Sequence, residues 1–411
     1  MSNSLRLFFI TAETWPTFRA DVAVLFGKYL PRLGVYADLV TGHTPGDASR
    51  PWGGGEALLD DVSGRTVVKH FKTFLHHWRS LRRLDSARHD AIQVRDLPLP
   101  AALALRAARR RKLPFYYWMS YPMPEGQINL ARARGLTEGF LKFFFPWLRG
   151  RVGLFLLYRV VLPRADHIFV QSQRMKVNLV ERGIPAEIMT SVPMGVDLEE
   201  IDTESIPPAA DPRLAGRRVL VYLGTLDRPR RIETLFEMLA LVRKSEPTAL
   251  LVLVGDTHED AHREWLKSQS LRAGVAEHVI WTGWLPMLEG WRYVRSAEIG
   301  LSPIPRGVLL DVASPTKVPE YLALGVPVVC NDNPDQQALI EAAVAGRCVP
   351  YTAEAFAGAV VELLALPKQA RAAMGVRGRE LVEGLRSYKR IAYDLADQYS
   401  ALLRISQSPS T

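Results

Sequence analysis

Short apolar runs that end in glycine or a polar cluster recur along this chain, and stretches with helical spacing separate them. Residues 5–11, 35–41, 115–121, 166–172 and 191–197 are such runs in the first half. Residues 218–224, 250–255, 279–283, 297–303 and 326–330 repeat the pattern in the second. Between the first two runs, residues 22–33 show helical spacing and Gly34 stops it. Strand alternating with helix predicts a doubly wound parallel sheet. In such sheets ligands sit beyond the carboxyl ends of the strands. At 411 residues the chain is long for one core, so two domains of roughly 200 residues follow. The polar, proline-bearing stretch 198–213 reads as the linker between them.

The densest chemistry lies at residues 314–330. Ser314 and Pro315 read as an N-cap and first helical position, and Gly325 as the helix stop before an apolar strand. Pro319 has no N–H to donate, so a start at 318–319, with Thr316 and Lys317 in the loop, is the alternative. Either way, free backbone N–H groups and the Lys317 ammonium attract an anion, and Glu320 can accept from a sugar hydroxyl. A second anion site follows the strand 218–224. Gly224 and Thr225 precede Arg228, Arg230 and Arg231, whose forked guanidinium groups match phosphate oxygens. The three cannot all point inward; Arg230 is the favoured one.

In the first half, Glu13, Thr14, Trp15 and Arg19 follow the first strand and are site candidates on the acceptor side. Ser120 and Tyr121 end the strand 115–121. No G-x-G-x-x-G follows the first strand, which excludes the dehydrogenase fingerprint. Gly46, Gly53–Gly55 and Gly64 mark a surface loop that reads as an acceptor-side lid. His76 and His77 are adjacent and cannot share a helix face as metal ligands do. His258, His262 and Cys348 lack ligand spacing, and no D-x-D triplet occurs, so no metal is expected.

The formal net charge is +9, yet residues 1–200 carry 28 Lys and Arg against 18 Asp and Glu, so the whole excess lies there. That favours an anionic partner for the first half. The stretch from Gly139 to Leu162 interleaves aromatic and leucine residues with arginine. It suits a helix lying in a membrane interface, or a core helix with snorkelling arginines. Two cysteines exclude a disulfide scaffold, and no signal peptide or membrane span is apparent. A cytoplasmic protein, at most at the inner face of the membrane, is the reading.

With Gly224…Arg230 and the 314–330 segment in view, the sequence resembles the retaining glycosyltransferases of family 4. Residues 192–197 and 166–175 match as well, and Ser387–Ala392 resembles the family's last helix, which returns to the first domain. The resemblance implies the GT-B fold: two Rossmann-like doubly wound domains facing each other across a crevice. The first, 1–200, would bind the acceptor and take back the helix at about 386–406; the second, 201–385, would bind a nucleoside diphosphate sugar. Arg230 and Lys317 would grip the donor diphosphate, with no cofactor and no metal. Thr225 stands where the family has arginine, and Arg230 where it has lysine. Glu320 matches the second glutamate of the family's E-x7-E pair and would hold the ribose. Val312 occupies the first position, leaving Asp311 as the nearest carboxylate. Ser120 or Tyr121 stands where the family often has a crevice histidine.

The reaction so implied is transfer of a hexose to a hydroxyl of a glycan, lipid-linked or small-molecule acceptor. Two other readings share parts of this pattern. A nucleotide-sugar 2-epimerase has the same fold but needs acid/base carboxylates and histidines, of which few are present. A basic nucleic-acid-binding protein would need a reader motif, and none is seen, so nucleic acid is not an expected partner.

Overall fold

The computed structural model describes residues 4–43, 51–61, 66–135 and 139–407. Gly46 and Gly64 of the glycine-bearing loop lie outside them. The chain divides into two compact units, one running to Met194 and resuming at Tyr388, the other spanning Gly195–Ser387.

The first unit is built on seven strands: Leu5–Thr11 (β1), Val35–His43 (β2), Ala57–Asp61 (β3), Ala91–Arg95 (β4), Phe115–Met119 (β5), His167–Val170 (β6) and Met189–Ser191 (β7). Their order is β3-β2-β1-β4-β5-β6-β7, and every pair is parallel. The second unit has Arg218–Leu223 (β8), Ala249–Val254 (β9), Val279–Trp281 (β10), Ile299–Ser302 (β11), Val328–Asn331 (β12) and Gly346–Val349 (β13). Their order is β10-β9-β8-β11-β12-β13, again all parallel. The central strands β5, β6, β9 and β12 are buried at every position, which is why they read as apolar runs; β4 is buried at every position too but carries polar residues. In each sheet the winding reverses beside the first strand, between β1 and β4 and between β8 and β11. Such switch points open the crevice where ligands bind.

Three strands carry no apolar run in the sequence reading: β3, β4 and β13. Of these β4 matters most, because it ends at the switch point. Its Gln93 and Arg95 are buried, so polar residues broke the signal. The stretch 198–213 is not a linker. Ile201 and Ile206 are each 1% exposed and pack into the second unit's core with Val219, Val221 and Val294. Polar spacing around two isoleucines hid that role. His77 is also core: burial pushes its pKa down to about 3, while His76 bonds the Leu58 carbonyl at 2.9 Å. Among the described residues, no group of His, Cys, Asp and Glu could hold a metal ion, and no helix is long and apolar enough to cross a membrane.

The helix Tyr388–Gln407 belongs to the first unit. Tyr388, Ile391, Ala392, Leu395 and Tyr399 recur at helical spacing and sit in the core with Phe9, Trp118 and Phe169. The Tyr399 hydroxyl donates to Gln93 Oε1, tying the C-terminal segment to β4. Replacing Tyr399 by alanine is expected to cost roughly 3–5 kcal/mol. Tyr399→Phe, which keeps the ring, should cost only about 1–3 kcal/mol. Urea unfolding of the two variants checks the difference.

Candidate functional site

In the second unit the site begins where β8 ends. Gly224 has φ +138°, a conformation that favours glycine, and a Cβ there would lie 2.9 Å from Lys317 Cε and 3.0 Å from Nζ. The Lys317 ammonium therefore rests against bare backbone. It also sits 5.1 Å from the centre of the Tyr222 ring, whose hydroxyl is held by the Thr225 carbonyl at 3.0 Å.

Lys317 is the first residue of the helix Lys317–Ala323. The cap expected at Ser314 is displaced by two residues: Thr316 is the cap position and makes no side-chain capping bond. Pro319 then falls in the first turn, where its missing N–H has no intrahelical partner to lose. The Ser314 hydroxyl is taken instead by Asp335 at 2.8 Å and Arg386 at 3.1 Å, and Arg386 also bridges Asp335 at 2.7 Å. At the other end Gly325 (φ +74°) stops the helix. Its N–H reaches Leu322 O at 3.0 Å, and the Val326 N–H reaches Tyr321 O at 2.9 Å, a Schellman pair. Only seven residues long, the helix brings a modest dipole; the positive field comes from side chains.

Of the three arginines after β8, Arg228 pairs with Glu259 at 3.1 Å and Arg231 approaches Glu233 at 3.9 Å. Arg231 also lies over the Tyr351 ring. Among the described residues no carboxylate pairs with Arg230, and its charge is close enough to depress Lys317. Burial, then Arg230, brings the Lys317 pKa down to about 7, against the pull of Glu320. Burial pushes the Glu320 carboxyl up, while the Thr316 hydroxyl and Lys317 pull it back. The structure thus gathers Gly224, Thr225, Arg230, Thr316, Lys317 and Glu320. Asp311 is engaged by Arg306, with contacts of 2.8 and 3.2 Å, and by the Gly307 N–H. Val312 is buried.

In the first unit, the expected candidates converge on residues the sequence reading passed over. Arg95, at the end of β4, is 1% exposed. Its terminal nitrogens reach Glu13 at 3.0 Å, Asp21 at 2.8 Å, Ser120 Oγ at 2.9 Å and Asp96 at 3.3 Å. Asp96 adopts φ +58° and accepts from the Ser120 N–H at 2.8 Å, the Ser120 hydroxyl and the Tyr121 N–H at 3.3 Å. Arg19 reaches Asp21 at 3.2 Å. Burial raises the Asp21 carboxyl, but Arg95 and Arg19 outweigh it and hold it low; burial keeps Asp96 high against Arg95. Trp15 is not a loop side chain on display. It is 4% exposed and packs edge-on to Trp52 at 4.9 Å, beneath a pocket of about 360 Å³ that His43 and Asp60 also line. The cluster's signal was Arg95-Asp96 closing Ala91-Ile92-Gln93-Val94, a polar strand end like the others.

Arg95→Met strands three carboxylates around a buried site and is expected to cost roughly 3–5 kcal/mol in urea unfolding. In the second unit, Tyr321→Phe leaves the buried Leu223 N–H, bonded to the Tyr321 hydroxyl at 2.8 Å, without that partner. A loss of about 1–3 kcal/mol should follow, together with weaker binding of any anion at Lys317.

Comparison with known proteins places these two units. A family model described as Glycosyltransferase Family 4 matches residues 21–200, and one described as Glycosyl transferases group 1 matches residues 217–366. Sucrose-phosphate synthase from Thermosynechococcus elongatus is similar over 98% of this chain and 100% of its own, at 19% identity and TM-score 0.70. Anabaena HepE in complex with UDP-glucose is similar over 97% and 100%, at 15% identity and TM-score 0.66. WaaG, a glycosyltransferase involved in lipopolysaccharide biosynthesis, is similar over 95% and 99%, at 13% identity and TM-score 0.65. No curated protein matches by sequence. At these identities the likeness is one of fold, and that fold is GT-B. With both halves matched in order, the chain belongs to the glycosyltransferases, a family 4 domain preceding a group 1 domain.

Proposed function

We propose that this chain transfers a hexose from a nucleoside diphosphate sugar to a hydroxyl of a glycan, lipid-linked or small-molecule acceptor, with retention at the anomeric carbon. The observation that carries the reading is the pair of cations at the end of β8. Lys317 is pressed against Gly224, and Arg230 is left without a carboxylate partner among the described residues. Two cations at a switch point, one of them on bare backbone, suit a diphosphate, whose charge grows as it leaves. They supply neutralisation from the protein itself, in keeping with a metal-independent reaction. Glu320, three residues on, suits the ribose hydroxyls.

In this mechanism the bond from the anomeric carbon to the diphosphate oxygen breaks, and a bond from that carbon to the acceptor oxygen forms on the same face. The acceptor proton passes to the departing diphosphate oxygen. The first unit takes the acceptor, with Glu13 the least buried of the groups that Arg95 contacts and Ser120 another of them. Asp311 stands one residue from the place of the missing first glutamate, and its pairing to Arg306 fixes its carboxylate. Since HepE is known in complex with UDP-glucose, that donor heads the panel to be tried.

Thermal shifts with UDP, GDP and ADP sugars identify the donor. Lys317→Ala and Glu320→Ala should each abolish transfer while the fold survives; unchanged turnover in either removes the site. The free Lys317 loses its charge as pH rises through about 7. Donor affinity should therefore fall between about pH 7 and 9, with proton uptake on binding seen by calorimetry in buffers of different ionisation heat. The stability effect has the opposite sign. The folded pKa lies below the unfolded one, so the unfolded chain binds more protons in this window and stability rises with pH there. Lys317→Met is accordingly expected to raise the melting temperature at neutral pH while removing the donor-induced shift.

A further inference from the structure

The helix Phe140–Phe155 is packed by its small residues and presents its large ones. Gly150 and Gly153 are buried. A Cβ at Gly150 would lie 2.6 Å from Ile128 Cγ1 and 2.8 Å from the Pro124 carbonyl oxygen, so only glycine allows this helix to lie so close to Met123–Arg134. At about 100° per residue, Leu141, Phe145, Leu148, Val152 and Phe155 share the opposite face within one narrow arc. They are 40–63% exposed. A helix that owed its fold only to the core would turn this stripe inward. The stretch Gly139–Leu162 thus divides: Leu157, Val161 and Leu162 are core, while this stripe is exposed.

Charge frames the stripe. From Gly139 to Leu162 the chain has Lys142, Arg149, Arg151 and Arg159 and no Asp or Glu. By the same angular count Lys142 and Arg149 fall on one flank of the stripe and Arg151 on the other. Glu125, which reaches this segment from the neighbouring helix, is occupied by Tyr158 at 2.6 Å and Arg182 at 3.0 Å. Two copies meeting through this face would set cation against cation. A surface that is apolar within and anionic at its rim complements it on both counts.

We propose that this face docks on the anionic surface of a lipid bilayer, the aromatic and aliphatic side chains entering the acyl boundary and the flanking cations meeting lipid phosphates. The helix lies in the interface and does not span it. The inference stands apart from the donor chemistry, because no donor-binding residue takes part.

The test is co-sedimentation of the full chain with vesicles of phosphatidylglycerol and phosphatidylcholine in equal parts, against phosphatidylcholine alone. The protein should bind the anionic vesicles, weakly or not at all the neutral ones, and less as salt rises. The triple variant Leu141→Asp, Phe145→Asp, Val152→Asp should lose binding by roughly tenfold or more. It should keep its melting temperature and its donor-induced shift. Lys142→Glu with Arg151→Glu should lose it likewise. The proposal is overturned if the wild-type chain ignores anionic vesicles at low salt, or if the triple variant binds as well as wild type. It is equally overturned by a concentration-dependent dimer that the triple variant abolishes without any vesicle binding.

Discussion

One buried tyrosine sets the geometry of the second unit. β8 and β11 pair over only two residues, Leu220 with Ile299 and Val221 with Gly300, and then part at the switch point. Beyond that, the Tyr321 hydroxyl accepts from the Leu223 N–H at 2.8 Å and donates to the Leu301 carbonyl at 3.2 Å. The ring fits because Gly300 has no side chain; a Cβ there would lie 2.6 Å from it. Satisfying two backbone groups that the diverging strands leave unpaired locks the helix Lys317–Ala323 over the gap. Lys317 is one turn upstream of Tyr321 on that helix, so the same clasp sets the ammonium against Gly224.

The two units use their switch points in opposite electrostatic states. In the first, the terminal nitrogens of Arg95 are matched by Glu13, Asp21, Asp96 and Ser120, so its charge is spent inside the protein. Such a group stiffens and orients; it has little field left for a ligand. In the second, burial and the nearby Arg230 charge hold Lys317 far below its ordinary pKa, against the pull of Glu320. The Lys317 charge is not spent on a matched set of carboxylates as that of Arg95 is. The contrast is the physical ground for proposing the diphosphate in one unit and the acceptor in the other.

The gross architecture was legible because fully buried parallel strands leave long apolar words in the sequence, and glycine or polar residues end each one. It failed where burial and apolarity part company. β4 contains Gln93 and Arg95, which are buried only because Tyr399 and the surrounding carboxylates satisfy them from far along the chain. Ile201 and Ile206 sit in a polar stretch that local composition marks as linker. Ser314 has the chemistry of an N-cap, yet Asp335 and Arg386 claim its hydroxyl, and the cap falls two residues later. In each case a partner distant in sequence outbid the local preference.

Local order alone determined which residue types stand together after each strand: glycine, threonine and arginines after β8, and lysine with glutamate three residues on. It determined too that Gly139–Leu162 is cationic, aromatic and free of acids. Which of three arginines lacks a carboxylate partner among the described residues, which way the Phe140–Phe155 helix turns its apolar stripe, and that Arg95 joins Glu13 to Ser120 were decided only by tertiary structure. The reason is physical: backbone propensity and spacing act over a few residues. The charge state and exposure of a side chain depend on which distant groups the fold brings within a few ångströms of it.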